Sequence, residues 1–178
     1  MKLTVEKVTG KNARAVKSIY LEAFPKEERM PFWTMRLLDK LPATQLLAFY
    51  DGAVLCGFAY LGVEGDVVFL MFLAVDQTLR SRGYGSAILQ ALRERYPRHR
   101  HVVSIELCSQ NAPNRDQRLR RKAFYLNNGY KETGWQITLS KVPQEVLAAN
   151  GEFDPQELQR FFQKYSNQTM NPSLEPLP

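Results

Sequence analysis

Apolar and polar positions alternate over LTVEKVT, residues 3–9, which predicts a strand. Asn12 suits a helix cap, and behind it Ala15, Ile19 and Phe24 recur at near-helical spacing, with Val16 and Tyr20 beside them. Pro25 interrupts this helix, and the charged connection KEERMP leads to a second one, PFWTMRLLDKL, with Pro31 in its first turn. QLLAFYD and VLCGFAYLG flank Asp51-Gly52 and predict a hairpin. Glu64-Gly65-Asp66 marks a further turn before VVFLMFLAV, residues 67–75. That run is apolar on both faces, as in a central strand covered from both sides.

The texture then changes. The loop DQTLRSRGYG precedes a helix with Ile88, Leu92 and Tyr96 on one face, stopped by Pro97. HVVSIEL predicts a strand, QNAPNRDQ a loop, and RLRRKAFYLN a helix whose Leu119, Ala123 and Leu126 share a face. Asn128-Gly129 supplies a left-handed cap, and YKETGWQITLS returns as a strand. Antiparallel hairpins followed by strand–helix–strand–helix–strand predict an α/β or α+β sheet with helices on both faces. Beyond Ser140 the pattern thins, so residues 141–178 are expected to form an extension to a domain of residues 1–140. Within the extension Asp154 and Pro155 start a helix over 154–165 that carries Leu158, Phe161 and Phe162 on one face. NQTMNPSLEPLP is expected to be disordered.

Composition narrows the class. A chain of 178 residues with 44% hydrophobic and 24% charged side chains is globular and has the length of one ordinary domain. Cys56 and Cys108 stand far apart between apolar neighbours, which predicts reduced, buried or half-buried thiols. His99 and His101 are the two histidines, and no converging set of ligands accompanies them, so no metal is expected. The longest apolar run is far short of the ~20 residues that span a bilayer, and MKLTVEKVTG lacks a signal peptide's apolar stretch. A cytoplasmic protein with no membrane partner is the expectation.

The net charge of +6 points to an anionic partner: nucleic acid, a phosphate-bearing ligand or a membrane surface. Its distribution is uneven. Residues 1–79 net to zero, residues 80–122 carry eleven basic and three acidic side chains, and residues 123–178 net to −2. Arg80-Ser81-Arg82-Gly83-Tyr84-Gly85-Ser86 opens that basic stretch between an apolar strand and an amphipathic helix. Backbone N–H groups and a helix dipole converge at such a position, glycines let a ligand approach, and arginines add charge-assisted donors for phosphate. No Gly-Lys-Ser/Thr follows, and Ile88 stands where a dinucleotide fingerprint needs a third glycine. On spacing alone, a phosphate cradle and a tight turn with solvated arginines both remain open.

Two segments together, FLAVDQTLRSRGYGSAIL and RKAFYLNNGY, resemble motifs A and B of the GNAT superfamily of acyl-CoA-dependent N-acyltransferases, in that family's order and spacing. The resemblance covers roughly residues 3–140 and implies a mixed, mostly antiparallel central sheet, splayed between its two central strands. It implies acetyl-CoA as co-substrate, with the loop Arg80, Ser81, Arg82, Gly83, Tyr84, Gly85 and Ser86 at the pyrophosphate. The main chain of Leu73, Ala74 and Val75 would pair with the pantetheine arm, and the Leu73 N–H would polarise the acetyl carbonyl. Tyr125 matches the family's usual general acid, with packing against the sheet as its alternative; Glu106 is the candidate general base, with pairing to the arginine-rich helix as its alternative.

The connection holding Glu27, Glu28 and Arg29 often forms the acceptor wall in this family, and Phe32 and Trp33 are either wall or core. Two positions depart from the family's pattern. Arg118 replaces an Asn and Arg121 a small residue, so that Arg118, Arg121 or Lys122 could reach the 3′-phosphate of CoA or an acidic acceptor. No side chain is placed as an acyl-carrying nucleophile, Cys108 lacking a base, so direct attack by a small-molecule or peptide amine in a ternary complex is expected. The alternatives are a basic nucleic-acid-binding module, for which Tyr84 and Tyr96 alone are interleaved with the arginines, and a GNAT-like CoA-binding protein without catalysis. A homodimer is a further expectation from the family.

Overall fold

The computed structural model describes residues 1–109, 112, 114–139, 141–166 and 172–178. Five α-helices and eight strands lie within them, and the chain divides into two compact units, Met1–Val63 with Leu70–Pro97, and Glu64–Phe69 with Arg98–Pro178. None of the described helices is long and apolar enough to cross a membrane.

The first unit orders its strands β1 (Thr4–Lys7), β2 (Thr44–Asp51), β3 (Val54–Glu64) and β4 (Val67–Val75), the last contributing from Leu70 onward. β1–β2 and β2–β3 are antiparallel. The register pairs Asp51 with Val54, so the hairpin turns on Gly52 and Ala53, with Gly52 at φ +58° as an Asp-Gly turn requires. Helix α1 (Ala13–Ala23) buries Val16, Ile19 and Tyr20 and leaves Ala15 exposed, so its inward face is centred one residue later than the sequence suggests. Helix α2 (Phe32–Leu38) follows Pro31 and buries Met35. These side chains join Leu46, Ala48, Phe58 and Tyr60 in one core. The unit ends in α3 (Tyr84–Arg95), which buries Ala87, Ile88, Leu89 and Leu92.

The second unit orders its strands β5 (Arg100–Glu106), β7 (Val142–Ala149), β6 (Lys131–Leu139) and β8 (Ser173–Pro176), every pairing antiparallel. Two expectations fail here. Residues 142–149, taken for the start of an extension, form a strand inside the sheet whose second half, Glu145–Ala149, is buried. Residues 173–176, in the segment expected to be disordered, pair with β6 as β8, while 167–171 lie outside the described residues. β8, a four-residue strand paired with residues nearly forty positions earlier, leaves little local signal.

Helix α5 (Pro155–Tyr165) starts as expected, the Asp154 carboxylate accepting from the Gln156 N–H at 2.9 Å, and buries Leu158, Phe161 and Phe162. Phe161 and Phe162 meet Phe69 with ring centroids 5.8 and 5.0 Å away. Arg100 holds the Glu157 carboxylate of α5 through Nε and Nη2. Helix α4 (Arg115–Asn127) also departs from its pattern. Leu119, Ala123 and Leu126 do share a face, but that face is exposed, and Tyr125 is the helix's one buried residue among those described.

Candidate active site

In the first unit the site grows from the end of β4. Met71, Phe72, Leu73 and Val75 are half-buried, Ala74 alone being buried in this stretch. The strand approaches β3 so closely that a Cβ on Gly57 would lie 2.3 Å from the Ala74 carbonyl oxygen, so β3 needs glycine there. The Asp76 N–H donates to the Cys56 carbonyl at 2.9 Å, while its carboxylate accepts from the Thr78 N–H at 2.8 Å and caps a short 3₁₀ turn over Gln77–Leu79. Burial raises the pKa of the Cys56 thiol above its ordinary value and keeps it inert.

The chain then reverses through Ser81 at φ +62° and Gly83 at φ +86°. Gly83 is the N-cap of α3 and brings no side chain to cap it. The first amide bonded back into the helix at this cap is that of Ala87, to the Gly83 carbonyl at 3.0 Å. The N–H groups of Tyr84, Gly85 and Ser86 therefore have no partner among the described residues, at the positive end of a helix dipole. Ser81, Arg82 and Gly83 are exposed, and Arg80 and Arg82 make no ion pair among the described residues. The Tyr84 hydroxyl donates to Asp51 Oδ2 at 2.9 Å, tying the loop to the β2–β3 turn. That bond to a carboxylate raises the pKa of the phenol. Uncapped amides at a helix N-terminus are able to receive an anion the size of a phosphate.

The second unit holds the other candidates. Tyr125 is buried against Phe124 and Tyr130, with ring centroids at 5.1 and 5.2 Å. Burial pushes its pKa up to about 12, against a weaker lowering by Arg121, so the phenol stays protonated at neutral pH. Its hydroxyl has no hydrogen-bond partner among the described residues.

Glu106, at the end of β5, is engaged on both oxygens. Arg121 Nη1 lies 3.0 Å from Oε2, Arg118 Nη2 3.3 Å from Oε1, and Asn114 Nδ2 3.5 Å from Oε1. Lys122 Nζ bonds both oxygens of the buried Glu145 at 2.8 and 3.0 Å and also meets Glu132. Burial alone would lower the Lys122 pKa, but hydrogen bonds to Glu132 and Glu145 outweigh it and raise it. The departures Arg118 and Arg121, with Lys122, are thus bonded to carboxylates of their own unit.

Toward the expected acceptor wall, Glu27 and Glu28 are exposed on a 3₁₀ turn. Phe32 is half-buried and Trp33 is 68% exposed, so Trp33 is not core. Arg36, half-buried on α2, has its Nη1 buried with no hydrogen-bond partner among the described residues. Among the described residues no group of three or more His, Cys, Asp or Glu side chains is placed to hold a metal ion. The parts that Gly57, Asp51 and Asp76 play at this site escaped the sequence argument. Asp51 and Asp76 are common turn residues, and the close approach that needs Gly57 exists only once β3 and β4 are side by side.

The acetyltransferase (GNAT) family model matches residues 13–130, from the first residue of α1 to the residue before β6. The chain belongs to the GNAT acetyltransferase family. Among solved structures, a GNAT protein from Bacteroides thetaiotaomicron superimposes with a TM-score of 0.75 at 17% identity, covering 94% of this chain and 99% of that one. The ribosomal-protein-S18-alanine N-acetyltransferase of Escherichia coli gives a TM-score of 0.62 at 17% identity, over 85% of this chain and 96% of that one. An aminoglycoside 6′-N-acetyltransferase complexed with coenzyme A gives 0.64 at 17% identity, over 82% and 95%. Identities this low establish a shared fold and do not transfer an acceptor. Comparison with curated protein sequences returned no match. This GNAT chain therefore carries the family's architecture, and its described residues include the uncapped start of α3 and the buried Tyr125.

Proposed function

We propose that this GNAT protein transfers an acetyl group from acetyl-CoA to a primary amine by direct attack in a ternary complex. The observation that carries this reading is the uncapped N-terminus of α3, where the N–H groups of Tyr84, Gly85 and Ser86 stand beside Arg80 and Arg82. Ser81, Arg82 and Gly83 complete the pyrophosphate cradle, and the main chain of Leu73, Ala74 and Val75 is assigned to the pantetheine arm. When bound, acetyl-CoA supplies the acyl thioester. The Leu73 N–H is assigned to the carbonyl oxygen as negative charge builds there. Tyr125, held protonated by burial, donates its proton to the departing thiolate sulfur.

Glu106 was the candidate base. Two guanidiniums and an amide now occupy its carboxylate, which supports the alternative in which it anchors α4. We assign removal of the amine proton to water. The reaction is placed in the cytoplasm, as the sequence led us to expect.

The first test is thermal. Acetyl-CoA at a hundred times its Kd should stabilise the protein by about 2.7 kcal/mol; no shift at near-millimolar concentration would sink the reading. Tyr125→Phe should retain that shift and lose turnover, whereas unchanged turnover would remove the acid assignment. Glu106→Gln should keep the acidic limb of the pH–rate profile, and loss of the limb would restore Glu106 as the base.

A further inference from the structure

We propose that Asp51 is a positioning residue for the phosphates of coenzyme A: through the Tyr84 hydroxyl it holds the first amides of α3 in the arrangement that receives them. This rests on the acetyl-CoA reading and adds to it a residue that lies outside both motifs. Asp51 ends β2 and Tyr84 opens α3, so both belong to the first unit. They are 33 positions apart in the chain and meet at 2.9 Å, Tyr84 Oη donating to Asp51 Oδ2.

The segment from Asp76 to Tyr84 is fastened to the β2–β3 hairpin at both ends. At the first end, Phe49 pairs with Gly57 and Tyr50 with Leu55, which leaves Cys56 as the extra residue of a bulge. The Cys56 carbonyl accepts the Asp76 N–H at 2.9 Å. That tie is made by backbone alone, so any residue would supply it. The second tie needs two particular side chains, Asp51 and Tyr84. Between them the chain turns through Ser81 at φ +62° and Gly83 at φ +86°. Left-handed backbone at a non-glycine residue persists where its surroundings hold it. Among the described residues the side chains of Arg80, Ser81 and Arg82 make no hydrogen bond or ion pair that would do so.

The charge on Asp51 argues against a purely electrostatic role. A bare carboxylate close to a phosphate site weakens it by repulsion. Here the carboxylate accepts from a phenol instead, and that bond raises the phenol's pKa and keeps it a donor, against a lowering by Arg82. Bonds to an ionised acceptor are the stronger kind, and this one fixes the residue whose own N–H is the first of the three uncapped amides. Order that exists before the ligand arrives does not have to be created on binding, so it appears as affinity. Repulsion and positioning therefore predict opposite signs when the carboxylate is removed.

The experiment measures the Kd of coenzyme A by titration calorimetry at fixed ionic strength. Asp51→Ala should raise it by about fivefold, the weight of one hydrogen bond; repulsion alone would lower it. Tyr84→Phe should raise it by the same factor, and the double variant should bind no more weakly than either single one, because all three lack the same interaction. Asp51→Asn keeps an oxygen that accepts the bond and should recover most of the loss. The bond lies at the surface, and Tyr84→Phe, which keeps the ring, carries the test if Asp51→Ala does not fold. An unchanged or lower Kd in Asp51→Ala or Tyr84→Phe overturns the inference and leaves the acetyl-CoA reading standing. So do effects that multiply in the double variant, or an Asp51→Asn as weak as Asp51→Ala. A wild-type protein that does not bind coenzyme A overturns both.

Discussion

Helices α3 and α4 both read in the sequence as basic helices of a phosphate-binding enzyme, and they are built in opposite ways. Helix α3 is held by apolar burial, through Ala87, Ile88, Leu89 and Leu92, and its first amides have no partner among the described residues. Helix α4 buries one aromatic residue and is fastened by charge, with Arg118 and Arg121 on Glu106 and Lys122 on Glu145 and Glu132. A net charge counted along the chain treats these arginines alike. A guanidinium already bonded to a carboxylate adds little to an anion site, whereas one beside uncapped amides adds directly. The basic excess of residues 80–122 is therefore partly spent in ion pairs within the chain.

The largest test of this contrast strikes the fastening of α4. Glu145→Ala strands the Lys122 ammonium with the exposed Glu132 alone and should cost about 3 kcal/mol in urea unfolding; a loss below about 0.5 kcal/mol, the range of ordinary surface substitutions, would mean that α4 is held by something else. The pH dependence has a definite sign. The raised pKa of Lys122 gives stability that is complete below its unfolded value and lost as pH rises through the folded one. The lowered pKa of Glu132, caused first by its hydrogen bond from Lys122, gives stability present above its unfolded value and lost as pH falls through the folded one. The gap between wild type and Glu145→Ala should be flat near neutrality. It should narrow only below the ordinary Glu range, about 4.3, and above the ordinary Lys range, about 10.4.

Next comes Gly57→Ala, which drives a methyl group into the Ala74 carbonyl; about 2 kcal/mol should be lost together with part of the acetyl-CoA shift, as β4 is displaced. Gly83→Ala meets no atoms but must hold φ +86°, so about 1 kcal/mol should go, along with affinity for acetyl-CoA. The smallest change in stability belongs to Arg82→Gln. Its melting temperature without ligand should match wild type, while the acetyl-CoA shift falls and loses part of its salt dependence. A destabilised Arg82→Gln would show that this charge, too, is structural.

Much of this could be read from the sequence because it is local. The Asp51-Gly52 turn, the Asp154-Pro155 start of α5 and the left-handed entry to α3 depend on residues within a few positions of one another. The two spaced motifs that resemble the family are likewise runs of neighbouring residues. What failed depends on partners far along the chain. Glu145, forty residues from its strand partner Ile105, decides what Lys122 does, and no periodicity in either segment points to the other. The side of α4 that is buried is set from afar for the same reason. Leu119, Ala123 and Leu126 have the right spacing for a core, but carboxylates on β5, β6 and β7 draw the polar side inward.

Strand β8 bears on how the protein behaves in a concentrated solution. It pairs Ser173–Pro176 along β6, the Leu177 N–H reaches the Gly134 carbonyl at 2.8 Å, and Gln136 Nε2 donates to Glu175 at 3.1 Å. A sheet grows sideways by adding backbone to an open margin, and β8 offers a poor one: it is short, it bears a glutamate, and Pro176 has no N–H to give. These residues act as a selvedge, the finished border that keeps a woven cloth from unravelling or being sewn to its neighbour.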